Sequence, residues 1–321
     1  MDKAVCSTNK EIPEALMLGN LLFYSISDIL IKPDELKNIF QKAQLPEKYI
    51  RDLHPSDVFR RASSSIKNIT FTEGDSKKKL EVDEVICNDD KIVRTIGIKE
   101  VNSSNAAVGY TPAAYLTFER ALNRISAIYS SDTHPALVTA QEDKIVHDAV
   151  QTVFNNYTQW TSYHNKDTVR NIFNKIIQDT HPVSLVNNGI CKFVPKIHTD
   201  ILYSMKEASS LLQGYTVQGA GKSYVELIPV INTEEQQKMI KESSEKEIRS
   251  NLNSFVMEIR EIVKTNGTLS PRAAKSYIAR FNALKEQVQD YEAVLGTYLD
   301  VLRNGIKKSL ERISIEDYAS I

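Results

Sequence analysis

The sequence predicts an α+β protein, an antiparallel β-meander with packed helices, followed by a long C-terminal antiparallel helical hairpin. Three observations carry this. The stretch KKKLEVDEVICNDDKIVRTIGIKEV (77–101) holds two β-rich runs around Asn88, Asp89 and Asp90, a turn cluster that marks a hairpin. From about Pro135 the apolar residues recur at helical spacing. From Thr233 the composition shifts to long, charged, amphipathic segments, so 1–232 is expected as an α+β domain and 233–321 as a helical hairpin of coiled-coil type.

Taken in order, LLFYSIS (21–27) is a predicted strand, and Leu36, Ile39, Phe40 and Ala43 share one face of a first helix. A second short helix is expected near Asp57, with Ser56 as its N-cap and Val58, Phe59 and Ala62 inward. The hairpin around Asn88 continues through AAVGYTPAAYLTFER and RISAIYSS into a meander of about four or five strands. Val138, Ile145, Ala149, Val153 and Tyr157 then mark a long helix, and Val169, Ile172, Phe173 and Ile176 a shorter one. ICKFVP (190–195) reads as a strand, 198–213 as a helix and 223–230 as a strand.

The C-terminal hairpin turns at TNGTLSP, with Asn266 and Gly267 closing one helix and Ser270 and Pro271 opening the next. The second helix is expected to run from there to about residue 313, with Leu284, Val288, Tyr291, Leu295 and Leu299 on its stripe. Val294, Tyr298 and Val301 fall off that stripe and are the expected self-association contact, giving a homo-oligomer; the competing expectation is that the hairpin folds back onto the 136–179 helices.

Composition excludes several functions. Forty Lys and Arg against 41 Asp and Glu leave no global basic field, so nucleic acid could be held only by a local patch. Cys6, Cys87 and Cys191 form no CxxC pair, which argues against a disulfide framework or a thiolate zinc site and suits a cytoplasmic protein. The N-terminus has neither the basic start of a signal peptide nor the length of a membrane span. The six histidines include no pair three or four residues apart, so any metal ligands would have to converge from distant segments, and no metal or other cofactor is predicted. GAGKS (219–223) ends like a phosphate-binding loop, but Thr216 stands where the first glycine belongs, a helix precedes it and a β-rich run follows. No GxSxG elbow is present and no catalytic residue is predicted.

Two basic groups remain. Arg60 and Arg61 in SDVFRRASSS could hold a phosphate, or else Asp57 pairs with Arg61 while Arg60 pins a neighbouring strand. Lys77, Lys78 and Lys79, with Arg94 on the partner strand, form the best local patch, and Tyr110, Tyr115 and Tyr129 on the same meander could stack on bases. The same lysines also suit a sheet edge that must resist association.

With LGNLLFYSIS (18–27), PSDVFRRASSS (55–65), GICKFVP (189–195) and LIPVINTEEQQ (227–237), the chain resembles an uncharacterised family of bacterial and phage-encoded proteins with an arginine-pair box, a glycine-strand-proline box and a helical tail. That resemblance implies a phage or mobile-element origin and no particular reaction. The resulting expectation is a non-enzymatic accessory protein whose α+β module binds single-stranded DNA or RNA and whose hairpin self-associates. The alternatives are an oligomerisation or host-protein-binding protein without nucleic-acid contact, and an enzyme using GAGKS as a divergent nucleotide loop.

Overall fold

The computed structural model describes residues 16–74, 76–101, 107–185, 191–266 and 270–296. In chain order the elements are β1 (Met17–Ser25), β2 (Leu30–Ile31), α1 (Pro33–Lys42), α2 (Pro55–Ser64), β3 (Thr70–Glu73), β4 (Ser76–Cys87), β5 (Lys91–Val101), β6 (Ala107–Glu119), β7 (Arg124–Tyr129) and the single-turn α3 (Ser130–Thr133). There follow α4 (Ala140–Ser162), β8 (His164–Asn165), α5 (Lys166–Gln178), β9 (Val183–Ser184), β10 (Lys192–Pro195), α6 (Thr199–Leu211), β11 (Tyr224–Ile231), α7 (Glu234–Asn266) and α8 (Pro271–Leu295). The α+β class with antiparallel sheets is as expected.

The division into compact units differs from the expected break at Thr233. One unit combines 1–29, 38–49 and 166–321; the other combines 30–37 and 50–165, and the boundary crosses α1. The hairpin α7–α8 therefore shares a unit with β1, β9, β10 and β11.

In the second unit β3 to β7 form a five-stranded antiparallel meander whose spatial order is the chain order. The β4–β5 turn is set by Asn88, whose Oδ1 accepts the backbone N–H of Asp90 at 3.1 Å and of Lys91 at 2.8 Å. Leu80, Val82, Ile92, Ile96, Ile98, Ala114, Leu116 and Phe118 alternate onto one face, where Val58, Phe59 and Ala62 of α2 and Val146, Val150 and Val153 of α4 cover them. Helix α4 begins with a capping box: the Thr139 side chain accepts the Glu142 N–H while Glu142 reaches back to Thr139. Helix α2 starts two residues before the expected point. Its N-cap is His54, without a side-chain cap bond, because Pro55 occupies the first helical position where a missing N–H costs nothing.

In the first unit the sheet order is β11-β1-β10-β9, all antiparallel, so β1 lies between two strands that come more than 160 residues later. Leu18, Val183, Phe193 and Val230 of this sheet meet Ile240, Ile248, Leu252 and Phe255 of α7 and Phe281, Val288, Tyr291 and Leu295 of α8. Ser270 caps α8 as expected, its Oγ accepting the Ala273 N–H at 3.2 Å with Pro271 next in line. Helix α8 is closed at Gly296, which adopts the left-handed conformation (φ 62°) with its N–H on the Glu292 carbonyl; the rest of the stretch expected to reach about residue 313 lies outside the described residues.

These contacts correct one expectation. Val294 is only 7% exposed and belongs to the core of its own unit, so it offers nothing to a second copy; Tyr298 and Val301 lie outside the described residues. Within its own unit the hairpin is buried against the four-stranded sheet. Among the described residues no helix is long and apolar enough to cross a membrane.

Gly19 shows how tightly β1 is held. A Cβ there would stand 2.1 Å from the Val194 carbonyl oxygen and 2.8 Å from the Phe193 ring. Since a paired backbone carbonyl cannot swing aside, Gly19→Ala is expected to cost about 3 kcal/mol through overpacking. Urea denaturation followed by circular dichroism checks this, and an unchanged midpoint would show that β10 can yield.

Candidate functional site

The arginines singled out in the sequence are engaged within the chain. Arg60 donates from Nε to Glu84 at 2.9 Å and from a terminal nitrogen to the Cys87 sulfur at 3.0 Å, and lies 3.8 Å from Asp57. It therefore pins β4, as one of the two sequence alternatives had it, but Asp57 faces Arg60 rather than Arg61. Arg61 lies over the Trp160 ring, 4.8 Å from its centre. Arg94 donates to the Arg60 carbonyl at 2.8 Å and to the Ser63 and Ser64 hydroxyls at 2.7 and 2.9 Å; burial lowers its pKa, opposed by Glu84. These three residues tie α2 to the sheet and to α4.

The lysine run is split by the strand period. Lys78 points to the helix-covered face, where its ammonium meets Glu73 at 2.6 Å and Glu142 at 2.9 Å. Lys77 and Lys79 point to the other face. There Lys79 pairs across the ladder with Lys99, and Lys99 with Tyr110, so the row Lys79–Lys99–Tyr110 crosses three strands. Like charges directly opposite are destabilising. Glu81 offsets part of this, at 3.8 Å from Lys79, 4.0 Å from Lys99 and 2.6 Å from Lys67. The Lys67 hydrogen bond, with Lys99 and Lys79 adding to it, holds the Glu81 carboxyl below the usual range against its partial burial. Three lysines thus share one carboxylate, with Asp83 the next acid along the strand.

Beside this row the Tyr110 ring lies against Gly97, where a Cβ would stand 2.2 Å from the ring, and Tyr110 remains 47% exposed. Tyr115 is opposite Thr95 on the same face and 38% exposed. Tyr129 is not part of this surface: it faces the helices and stacks on His147, with ring centres 3.8 Å apart. Lys67 and Lys99 were missed in the sequence. The alternation that sends Leu80, Val82, Ile96 and Ile98 inward is the signal that places Lys79 and Lys99 together outward.

The first unit holds a second constellation, one that sequence spacing did not indicate. His181 lies in the turn after α5, His198 ends the 3₁₀ turn Lys196–His198 before α6, and Asp290 lies on α8. His181 Nδ1 is 2.6 Å and His198 Nε2 3.0 Å from the same oxygen, Asp290 Oδ2. His181 has a left-handed backbone (φ 49°), uncommon for a side-chain-bearing residue, and its carbonyl accepts the Tyr291 hydroxyl at 3.1 Å. Burial pushes the Asp290 carboxyl up, but the hydrogen bonds from His181 and His198, with the attraction of either ring when it is protonated, outweigh it and bring it down to about 2. Among the described residues this is the group whose composition and spacing could hold a metal ion.

GAGKS does not build a phosphate cradle. It forms a turn between α6 and β11 in which Gly219 is left-handed (φ 84°), Lys222 is exposed, and the buried Ser223 hydroxyl accepts the Ser27 N–H at 3.1 Å. A strand follows the loop where a phosphate-binding loop opens a helix.

Antiparallel sheets packed with helices, the largest of five strands and the next of four, with a helical hairpin on the four-stranded one, define the molecule as an α+β protein. The chain belongs to a family of unknown function, DUF6744, whose model matches residues 17–312. No curated protein and no solved structure matches the sequence.

The lowered Asp290 pKa sets an acid dependence. A depressed carboxyl stabilises the fold above its unfolded value near 4, and that contribution is lost as the pH falls through about 2. After allowance for solvent screening, Asp290→Asn is expected to lose about 1–2 kcal/mol near pH 7. The gap between variant and parent should close between pH 4 and pH 2, as read from urea midpoints across that range.

Proposed function

We propose that this protein binds single-stranded nucleic acid across the outward face of the β3–β7 sheet, as a non-enzymatic accessory protein of the phage or mobile-element kind. The observation that carries this reading is the row Lys79–Lys99–Tyr110, with Lys67 sharing Glu81 and with Tyr115 exposed close by. A surplus of lysines over carboxylates at one point favours an anion, and exposed tyrosines beside it favour one that carries flat bases. A base has a π-face whatever its sequence, so aromatic stacking combined with phosphate contacts suits a single strand with little sequence preference. A duplex hides its base faces and could use only the lysines.

The residues assigned to binding therefore shift from the sequence expectation. Lys79 stays and Lys77 flanks it; Lys67, Lys99, Tyr110 and Tyr115 join. Lys78, Arg60, Arg61 and Arg94 serve the fold. Self-association, if it contributes, needs contacts other than Val294.

Fluorescence anisotropy with labelled oligothymidine and oligouridine, titrated at several salt concentrations, tests the reading. Lys79→Ala and Lys99→Ala should each lower the salt slope by about 0.7, and Tyr115→Ala should weaken binding by about 1–3 kcal/mol at constant slope. Lys78→Ala should reduce stability and leave the slope unchanged. Failure of the parent protein to bind either oligomer at low salt overturns the proposal and favours the protein-partner alternative.

A further inference from the structure

We propose that His181, His198 and Asp290 form a binding site for one divalent transition-metal ion of the zinc type, held by two imidazole nitrogens and one carboxylate oxygen. The three donor atoms lie within 4.8 Å of one another and come from segments 92 and 109 residues away from the aspartate. With metal–ligand bonds of about 2.0–2.2 Å, tetrahedral ligand atoms stand roughly 3.3 Å apart. The two histidine–aspartate separations, 2.6 and 3.0 Å, need to open by roughly 0.7 and roughly 0.3 Å to reach that spacing, and the two nitrogens need to close on each other.

The composition of the group selects the ion. Two nitrogen donors disfavour calcium and magnesium, which take oxygen, and the lack of a thiolate disfavours copper(I); two imidazoles with one carboxylate suit Zn²⁺, Co²⁺, Ni²⁺ or Fe²⁺. Three protein ligands leave a fourth position for water or another small ligand. The side chains are 15%, 23% and 18% exposed, sheltered enough to hold an ion and open enough to admit one. The surroundings are also fixed. The Tyr291 hydroxyl anchors the His181 carbonyl, and Tyr291 itself is fully buried beside Asp290, so loop and helix are held in register around the donors.

Two imidazoles converging on one carboxylate oxygen are more than neutralisation of that carboxylate needs. A second cation at the same point repels the first, whereas two neutral imidazoles and one carboxylate are a complete zinc ligand set. Bound metal would also join α8 to the turn after α5 and to the start of α6, adding stability according to ion concentration over dissociation constant.

The test is calorimetric titration of Zn²⁺ into chelator-treated full-length protein, with the visible absorption of Co²⁺ as a second probe. One ion per chain is expected, with no competition from excess Mg²⁺, and His198→Gln and Asp290→Asn should each weaken it at least about tenfold. Since a variant could misfold, the parent protein is also treated with diethyl pyrocarbonate with and without Zn²⁺ and the modified histidines are mapped by mass spectrometry. Protection of His181 and His198, with His134 and His147 still modified, supports the site. The proposal is overturned if the full chain binds no Zn²⁺, if folded variants bind as tightly as the parent, or if Zn²⁺ leaves His181 and His198 unprotected.

Discussion

The burial of α8 on the four-stranded sheet is the constraint on which the first unit depends. Tyr291 is fully buried and packs at a tilt against Phe193 of β10, with ring centres 6.1 Å apart. Its hydroxyl would be costly inside the core without a partner, and the His181 carbonyl supplies one. That single side chain therefore fixes both the depth and the rotation of α8. The residue before it, Asp290, is turned by about 100° to the rim of the same interface, where it collects His181 and His198. The packing of a tyrosine and the assembly of a polar triad are two consequences of one helix register.

In the second unit the corresponding constraint is the two-residue period of the strands. Once Leu80 and Val82 face the helices, Lys78 must face them too, and a lysine there is tolerable only because Glu73 and Glu142 both reach it. Lys79 and Lys99 are sent outward by the same period. The capping box of α4 uses Glu142 a second time, so one carboxylate starts a helix and neutralises a half-buried ammonium. Arg60 and Arg94 do related work at the other end of β4. The basic residues of this unit are thus divided between those that hold the helices to the sheet and those that remain available on its open face, and burial draws the line.

What was legible in the sequence was what local spacing determines. The hairpin at Asn88, the meander, the stripes of α1, α4 and α5, and the Ser270–Pro271 start of α8 all rest on contacts within a few residues. The patch was legible by region and not by residue: consecutive lysines look like one group on paper, yet neighbours on a strand point to opposite faces. Tyr129 was grouped with Tyr110 and Tyr115 for the same reason. The end of α8 was missed because an apolar stripe continues past Gly296, and periodicity carries no record of a single left-handed residue. The histidine–aspartate group was missed because a helix-borne metal motif is recognised by spacing of three or four residues, and here the donors are joined only through the tertiary fold.

The division of the chain into compact units follows packing rather than the composition shift at Thr233. A composition shift marks where helices become long and charged, but it does not say which surface those helices bury. Strand β1 buries Leu18 and Leu22 and needs partners on both edges, and its partners are β10 and β11, which follow in the chain only after residues 30–37 and 50–165 of the other unit. Nearly the whole of one compact unit is thus inserted between β1 and the rest of the other. Such long-range pairing carries a loop-closure cost that grows only slowly with length, so the insertion is tolerated thermodynamically, while its high contact order delays completion of the sheet. Helices α7 and α8 cover a sheet in which β1 is an inner strand. The hairpin is therefore a layer of a core that includes the N-terminal strand β1, which is why its apolar residues, Val294 among them, find their partners within the same chain.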